Sequence, residues 1–278
     1  MGAVSVPDAG SIVRMIRGID HLVIACADPN VAAAELESSL GLACTGGGRH
    51  AGRGTWNRIA WLADGSYLEL IGVDDREAAL QQPVGAAAVA VLDAAAGGLA
   101  TYALLDDGLE LTVSALLASG ASIGPVTHGS RQRDDGEIVE WWTASPETPL
   151  APDAPPFLIQ HAYVGAEWGH QALAERARFA HPIGSPVILA RLDVASGDPP
   201  STAAVLHEQL GLDFWAVADL AVADVGPHVL RLVPSREMPV PAVITLAAEV
   251  DVPRTVELLG VRFDVERVAL PVPAAAVD

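Results

Sequence analysis

The sequence contains no lysine: all 16 basic residues among its 278 are arginines, against 35 aspartates and glutamates. Without a lysine amine, the chain cannot form a Schiff base with a substrate. The formal net charge of −19 also disfavours polyanionic partners, because phosphate backbones bind to positive surfaces. We therefore expect neither lysine-dependent catalysis nor a nucleic-acid partner.

Cysteine is nearly as scarce, with only Cys26 and Cys44. Two cysteines in separate predicted elements make no disulfide framework and no C-x-x-C motif, so we expect two small buried side chains. No window reaches about 18 uninterrupted apolar residues, and no secretory leader is evident, which favours a cytoplasmic protein without membrane contact. P-loop, G-x-S-x-G and H-E-x-x-H motifs are also missing.

The apolar fraction of 51% is enough to build a core, and the length predicts two domains or a paired tandem. The chain opens with a predicted strand, a helix, a glycine turn and a hairpin. Their positions are Ile19–Cys26, Val31–Leu40 with Pro29 before it and Gly41 after it, Gly46–Gly48, and the strands Asn57–Leu62 and Tyr67–Gly72 around Asp64-Gly65.

This order recurs along the chain. Leu36–Leu42 is echoed 170 residues later by Leu206–Leu212. Fainter copies place a strand before the helix Leu109–Ala118 and another before a predicted helix Pro253–Leu259 that Gly260 ends. Four units that begin with a strand therefore start near residues 19, 99, 187 and 243.

The units predict a domain organisation. We expect an N-terminal leader over 1–17, a first domain over 18–163, a linking helix over 164–184 and a second domain over 185–278. The candidate functional residues fall in the first domain.

Several short strings carry a resemblance to a known family. They are Ile19-Asp20-His21-Leu22-Val23, Gly47-Gly48-Arg49-His50, Gly54-Thr55-Trp56-Asn57, Tyr67-Leu68-Glu69-Leu70, Ser130–Gly136 with Trp141, and Pro156–Gln160. In this order and spacing the chain resembles the glyoxalase-like branch of the vicinal oxygen chelate superfamily over roughly residues 18–161. The C-terminal half is similar only in the order of its units.

The resemblance implies an α+β fold of tandem βαβββ modules, four of them in two paired halves. In such proteins a curved sheet surrounds a cleft, which often holds one divalent metal on His and Glu side chains. The metal stabilises an enediolate, an oxyanion or bound dioxygen of a small substrate. Paired modules can also meet across a homodimer.

His21 and Glu69 are the first candidate ligands, because each is a polar residue in the middle of an apolar strand. Alternation along a strand places Glu69 on one face with Tyr67 and Ile71. Imidazole and carboxylate suit Zn, Mn or Fe(II), and a third ligand would be His161 or, as the alternative, His50. A buried His–Glu hydrogen bond or an exposed strand face is the competing interpretation.

Substrate contacts are predicted from arginine, amide and aromatic side chains. Arg131 and Arg133 share one face of a hairpin that turns at Asp134-Asp135-Gly136, and could clamp a carboxylate or merely offset nearby acids. Asn57 could donate to a substrate oxygen, and Trp56 and Trp141 could line a cleft. The candidate catalytic groups are Glu69, His50, Arg131 and Arg133.

The third unit departs from this pattern, because Arg191 and Arg231 stand where His21 and Glu69 stand in the first. Guanidinium groups are permanent donors and cannot bind a metal. A carboxylate-binding fork is one interpretation. We favour the other, a pair of salt-bridged residues in a degenerate module.

Three functions follow for a small-molecule substrate. The first is a metal-dependent lyase, isomerase or ring-cleaving dioxygenase, in which the metal acts as Lewis acid. The second keeps the fold but uses His and Arg in metal-free acid–base catalysis. The third is a small-molecule binding or resistance protein without turnover.

Overall fold

The chain folds into two β-sheets with helices packed between and around them. The computed structural model describes residues 15–133 and 135–269. The predicted leader falls almost entirely outside these residues, and its last residues, Ile16 and Arg17, begin the first strand.

The first half forms a closed barrel in the order β1-β4-β3-β2-β6-β7-β8-β5. Its strands are β1 (Ile16–Cys26), β2 (Gly46–His50), β3 (Thr55–Trp61), β4 (Tyr67–Val73), β5 (Gly97–Asp106), β6 (Thr127–Gln132), β7 (Ile138–Ala144) and β8 (Phe157–His161). Its helices are α1 (Pro29–Leu40), α2 (Arg76–Leu80), α3 (Pro83–Ala94) and α4 (Leu109–Ser119).

The second half forms an open seven-stranded sheet in the order β10-β11-β12-β9-β13-β15-β14. Its strands are β9 (Val187–Ser196), β10 (Trp215–Val217), β11 (Leu220–Val225), β12 (His228–Pro234), β13 (Ala242–Ala248), β14 (Arg254–Leu258) and β15 (Val261–Arg267). Helices α5 (Gly165–Trp168) and α6 (His170–Arg176) precede this sheet, α7 (Pro199–Leu210) follows β9, and Ser235–Glu237 form a 3₁₀ turn.

The predicted α+β class is confirmed, and the first three units have the predicted βαβββ order. In each of the first three units the opening strand pairs in parallel with the last strand of the unit. The opening strands β1 and β5 pair antiparallel, as do β9 and β13. This pairing joins two units into each sheet.

Helix α1 has both ends that its sequence predicts. The Asp28 carboxylate accepts hydrogen bonds from the backbone N–H groups of Asn30 and Val31, and Pro29 occupies the first turn. Gly41 ends the helix with φ +70°. Leu36 and Leu40 are fully buried and direct the helix against the sheet.

The predicted glycine turn at Gly46–Gly48 is wrong, because these residues are part of strand β2. A Cβ on Gly47 would lie 2.3 Å from the Asn57 carbonyl oxygen, and one on Gly46 would lie 2.9 Å from the Trp61 indole nitrogen. Glycine therefore lets β2 approach its neighbour and leaves space for that indole.

The predicted helix Pro253–Leu259 is also wrong. Residues Arg254–Leu258 form β14, which pairs antiparallel with β15. Leu259 and Gly260 both have positive φ, 53° and 69°, as a two-residue hairpin turn of type I′ requires. Gly260 therefore turns a hairpin instead of capping a helix, and the fourth unit has no helix after its first strand.

One apolar cluster connects the two halves. It runs from outward-facing barrel residues such as Leu22 and Leu68, through α1, α4 and α7, to one face of the second sheet. The opposite, inward face of the barrel strands is left free to form a site. Within the described residues, no helix is long and apolar enough to cross a membrane.

The segment predicted as one linking helix contains two short helices, α5 and α6. Glu167 and Trp168 at the end of α5 are buried, with 6% and 5% exposure, and Arg176 at the end of α6 is 7% exposed. The segment therefore packs into the structure instead of bridging two halves through solvent. The domain boundaries at 163 and 185 stay a prediction.

Candidate active site

The interior of the barrel holds a cavity of about 590 Å³. On β4 the predicted alternation holds: Tyr67, Glu69 and Ile71 line the cavity, while Leu68 and Leu70 join the outer core. The mouth is formed by exposed residues of the α2–α3 region and of the loops before β6 and after β7.

The other end of the cavity is closed by aromatic side chains. Trp168 of α5 stacks on His161, with ring centroids 3.4 Å apart, and packs edge-on against Trp61 at 5.8 Å. The Arg176 guanidinium lies 3.6 Å from the centroid of the Trp61 ring. Burial lowers the pKa of Arg176 to about 10, so the cation persists at neutral pH. The cavity thus has one open end.

A β-bulge places two consecutive polar residues on the same side of β1. The β1–β5 register advances by two residues in β1, from Ile19 to His21, while β5 advances by one. Asp20 is the extra residue, and its side chain reaches the same side as His21. A regular strand would have directed the two side chains to opposite faces.

The Asp20 carboxylate supports two imidazoles. It lies 2.6 Å from His21 Nδ1 and 3.0 Å from His161 Nε2. Burial favours the protonated acid, but the two histidines outweigh that effect and hold the pKa of Asp20 below its ordinary value. The ionised carboxylate accepts the N–H of His21 Nδ1, which directs Nε2 into the cavity.

Glu69 faces that nitrogen across the cavity wall. Its Oε2 lies 3.5 Å from His21 Nε2, while its Oε1 accepts a 2.5 Å hydrogen bond from Asn57 Nδ2. Asn57 is oriented by the backbone N–H of Gly48, which donates to Oδ1 at 3.0 Å. Oε2 is therefore the oxygen left available for chemistry.

His50 completes the polar cluster. Its Nδ1 lies 2.8 Å from Thr55 Oγ1, and its Nε2 lies 3.2 Å from Asn57 Nδ2. Burial lowers the pKa of His50, so the ring is neutral and its Nε2 accepts from the Asn57 amide. The structure thus brings His21, Glu69, His50 and Asn57 together on one wall of the cavity.

The donor set of the cavity does not match the divalent metal that the resemblance implies. His161 Nε2 is bonded to Asp20, and its Nδ1 is buried without a partner. His50 Nε2 is bonded to the Asn57 amide, which leaves His21 Nε2 and Glu69 Oε2 as available donors. Within 15–133 and 135–269, no three His, Cys, Asp or Glu side chains are arranged to hold a metal ion. Protein zinc sites use three or four ligands, so the arrangement does not fit one.

The two hairpin arginines are neutralised within the protein. Glu167 lies 2.7 Å from Arg131 and 3.0 Å from Arg133 through its two carboxylate oxygens. Arg131 is 4% exposed, lines the cavity and also donates to the Gly47 carbonyl. Arg133 lies outside the cavity lining and pairs also with Asp135. The predicted clamp, in which Arg131 and Arg133 together bind a substrate carboxylate, is therefore not present in this geometry.

The two predicted tryptophan contacts differ in placement. Trp141 lines the cavity, edge-on to His50 at 6.1 Å. Trp56 lies on the outer face of β3, under the Arg49 guanidinium, because it alternates with the inward residues Thr55 and Asn57. The predicted contact between Trp56 and a substrate in the cavity is therefore wrong, because Trp56 faces away from the cavity.

Sequence reasoning missed Asp20, Glu167 and Trp168. Two adjacent polar residues within an apolar strand, Asp20 and His21, were a signal for the bulge. For Glu167 and Trp168 the sequence offers little signal, because their helix is one turn long and its burial depends on tertiary packing.

The equivalent positions in the second sheet carry no such cluster. Arg191 Nε and Arg231 Nε donate to the same Asp193 oxygen, at 3.0 and 2.7 Å. The structure therefore contains the predicted pair of salt-bridged arginines.

Burial raises the pKa of both cysteines, Cys26 and Cys44, to about 12, so they are thiols.

Comparison with protein families agrees with this architecture. The family described as glyoxalase-like domain matches residues 19–210. The chain therefore belongs to the glyoxalase-like domain family. No curated protein matches the chain.

Solved structures extend the comparison to the fold. A hypothetical protein from Staphylococcus aureus aligns with a TM-score of 0.74 at 14% identity, over 90% of this chain and 99% of that one. Methylmalonyl-CoA epimerase from Mycobacterium tuberculosis aligns with a TM-score of 0.41 at 18% identity, over 58% of this chain and 93% of that one. The enzyme of that name from Streptomyces coelicolor gives 0.39 at 17%, over 53% and 99%.

Proposed function

We propose that the barrel cavity is the active site of an enzyme that moves protons to and from a carbon atom beside a carbonyl group. The carrying observation is the pair Glu69 Oε2 and His21 Nε2, 3.5 Å apart on the wall of an open cavity. General acid–base catalysis needs two such groups within reach of one substrate. The reaction class is isomerase or lyase on a small oxygenated compound.

Glu69 is the base in this proposal. As the substrate C–H bond breaks, its proton passes to Glu69 Oε2 and its electron pair moves toward the carbonyl. His21 Nε2–H gives its proton to the carbonyl oxygen, so an enol forms. In a β,γ-unsaturated substrate, Glu69 delivers its proton to the γ-carbon while the enol oxygen returns its proton to His21, which completes an isomerisation. In a substrate with a leaving group on the β-carbon, the enol oxygen returns its proton to His21 as the bond to that group breaks, and the group takes the proton from Glu69, which completes an elimination.

The surrounding residues position these two groups. Asp20 fixes the ring of His21 through a 2.6 Å contact with Nδ1, as a buried carboxylate does for a catalytic histidine. Asn57, held by Gly48 and His50, binds the other oxygen of Glu69. Trp168 and Trp61 close the far end of the cavity and exclude water, which strengthens the electrostatic interactions inside.

Deuterium exchange tests this proposal with simple carbonyl compounds in place of the natural substrate. Phenylpyruvate, 2-oxobutyrate and acetoacetate are incubated in D₂O, and loss of the proton beside the carbonyl is followed by NMR. We expect the protein to accelerate exchange of at least one of them, and Glu69→Gln to lower that rate about 10²- to 10⁴-fold. Equal rates for Glu69→Gln and the native protein would overturn the assignment.

Metal analysis of the same preparation separates the alternatives. The metal-dependent function with Zn, Mn or Fe would need a third ligand beside His21 and Glu69. Purified without chelator, the protein is expected to carry substoichiometric metal and to keep its exchange activity in EDTA. Stoichiometric metal that is lost in His21→Ala would favour the metal-dependent enzyme, and tight binding without exchange would favour a resistance protein.

A further inference from the structure

Within the part of the chain that the structure describes, Arg53 differs from the other arginine of the cavity in having no carboxylate partner. It lines the cavity at the mouth and is half-buried. Its Nη2 donates to the His128 carbonyl at 3.0 Å, and no acidic side chain of the described residues contributes to its pKa. Arg131, by contrast, is paired with Glu167.

The backbone around Arg53 is fixed. The carbonyl of Gly54 accepts hydrogen bonds from the N–H groups of Asp74 and Asp75, at 3.0 and 3.2 Å. Gly54 has φ +66°, and a Cβ there would lie 2.1 Å from the Asp75 carbonyl oxygen. Only glycine fits, so the turn between β2 and β3 is held against the start of α2.

The guanidinium is also fixed across the mouth. Arg53 belongs to the first βαβββ unit, and His128, its hydrogen-bond acceptor, belongs to β6 of the second. One backbone carbonyl satisfies one of five N–H donors, so a fork of donors remains for a ligand. Arg53 lines the same cavity as His50 and Glu69, so the guanidinium and the Glu69 cluster can contact one ligand.

We propose that Arg53 binds the carboxylate of the substrate at the mouth of the barrel, while the reacting carbon lies at Glu69. This inference rests on the proposed function and names its substrate class, a carbonyl compound with one carboxylate. A guanidinium binds a carboxylate with two parallel hydrogen bonds. A highly charged phosphate ester is disfavoured by the net charge of −19 and by Glu147, which also lines the mouth.

The apolar part of the cavity suits the remainder of such a substrate. Ile71, Val139, Phe157 and Ile159 line it between the mouth and the closed end. Burial of a hydrocarbon group there contributes affinity, and the carboxylate at Arg53 fixes its direction. The carbonyl would then face His21 and Glu69.

Binding of a matched pair of ligands tests the proposal independently of turnover. Phenylacetate and phenylacetamide have the same size and differ in charge. By titration calorimetry we expect the native protein to bind phenylacetate more tightly than the amide. Arg53→Gln should weaken phenylacetate binding about tenfold or more and leave the amide unchanged, because a charge-assisted hydrogen bond is lost.

Two further variants make the result specific. Arg49→Gln is the control, since Arg49 lies in the same hairpin with 72% side-chain exposure and pairs with Asp74; it should bind phenylacetate as the native protein does. Arg53→Lys keeps the charge but not the fork and should give an intermediate affinity. Thermal melting of each variant verifies folding.

The outcomes that overturn the inference are distinct from failure of the proposed function. If the native protein does not prefer phenylacetate, or Arg53→Gln binds it unchanged, Arg53 is not a carboxylate site. If inorganic phosphate binds through Arg53 and phenylacetate does not, the ligand class is wrong. The role of Glu69 is tested separately, by the exchange assay. If Glu69→Gln kept its exchange activity, the proposed function would be wrong, but the dependence of phenylacetate binding on Arg53 would be unaffected.

Discussion

The closed barrel and the open sheet are built from the same strand order, yet they treat two equivalent positions in opposite ways. His21 lies opposite Tyr67 in the parallel β1–β4 pair, and Arg191 lies opposite Val229 in the parallel β9–β12 pair. In the barrel the polar groups face a cavity. In the sheet both arginines instead pair with the carboxylate of Asp193. The same framework therefore supports a site in one half and a surface ion-pair network in the other.

Closure of the barrel accounts for much of this difference. Eight strands enclose the cavity, and His21 and Glu69 on its wall are only 3% and 6% exposed, so they interact at reduced dielectric. The side chains of Arg191 and Arg231 are 25% and 30% exposed, and water screens their charges. Electrostatic interactions of a polar group are therefore stronger in the barrel cavity than on the open sheet.

The largest expected effect contrasts Glu69 with Arg231, its counterpart in the open sheet. Glu69→Gln should lower the exchange rate about 10²- to 10⁴-fold, because the base is removed, whereas Arg231→Gln should leave the rate unchanged. The measurement is the NMR exchange assay, with circular dichroism to verify that both variants fold. A comparable loss in Arg231→Gln would contradict the separation of the two halves.

The next contrast concerns two tryptophans. Trp168→Ala should lower the free energy of unfolding by about 3–5 kcal/mol, because it opens a void at the closed end of the barrel. Trp215 lies on the edge strand β10 with 46% exposure, and Trp215→Ala should change that free energy by no more than about 0.5 kcal/mol. Urea denaturation of both variants decides; equal losses would mean that Trp168 does not act as a buried plug.

A smaller difference is expected between two acids that each neutralise two arginines. Glu167→Gln leaves the buried Arg131 without its counter-charge and should lower the free energy of unfolding by about 3 kcal/mol. Asp193→Asn should cost about 1 kcal/mol, since its arginines are partly hydrated. Urea midpoints with unchanged slopes would measure both, and the reverse order would refute the assigned burial effect.

The smallest effect is a pH dependence at His181, which joins the segment before the second sheet to the barrel. Its Nδ1 accepts from the Ala43 N–H at 3.1 Å, and its Nε2 lies 2.8 Å from the Trp61 carbonyl. Burial lowers the pKa of His181 below its ordinary value of 6.5. The unfolded chain therefore binds the proton more readily than the folded protein does. The stability that is present above pH 6.5 is lost as the pH falls from 6.5 toward the lower pKa of the folded state.

Melting temperatures between about pH 8 and pH 5 test this dependence. We expect native stability to fall over this interval and His181→Gln to fall less steeply. The pKa of His50 is also lowered by burial, so part of the slope should persist in the variant. Asp20 acts only at more acidic pH, because its stabilising ionisation is lost below its ordinary pKa of 3.8. Identical slopes would show that His181 does not contribute.

Local sequence patterns were sufficient to predict features that depend only on neighbouring residues, such as the ends of a helix or the alternation of a strand. Asp28 and Gly41 fixed the ends of α1, and alternation on β4 placed Glu69 inside the barrel. The same kind of signal failed at Gly46–Gly48 and at Gly260. Glycine permits a turn, a cap or a close strand contact equally, and tertiary neighbours decide among them.

The candidate site was predictable only in part for a related reason. His21 and Glu69 were proposed because each interrupts an apolar strand, and His50 and Asn57 lie in the strings that carry the family resemblance. The residues that contact them were harder to predict from the sequence. A bulge turns the Asp20 side chain toward His21, and Glu167 lies on a one-turn helix whose position depends on tertiary packing. The expected ligand His161 lies in the right region, yet its hydrogen bond to Asp20 could not be foreseen from spacing.

The bulge at Asp20 has a consequence for how such a barrel can change. An added residue in a pleated strand lets neighbouring positions in the chain supply both a proton carrier and the anion that orients it. Deleting Asp20 would restore a regular ladder and remove the anion that orients His21. A single codon thus separates a chemically equipped wall from an inert one.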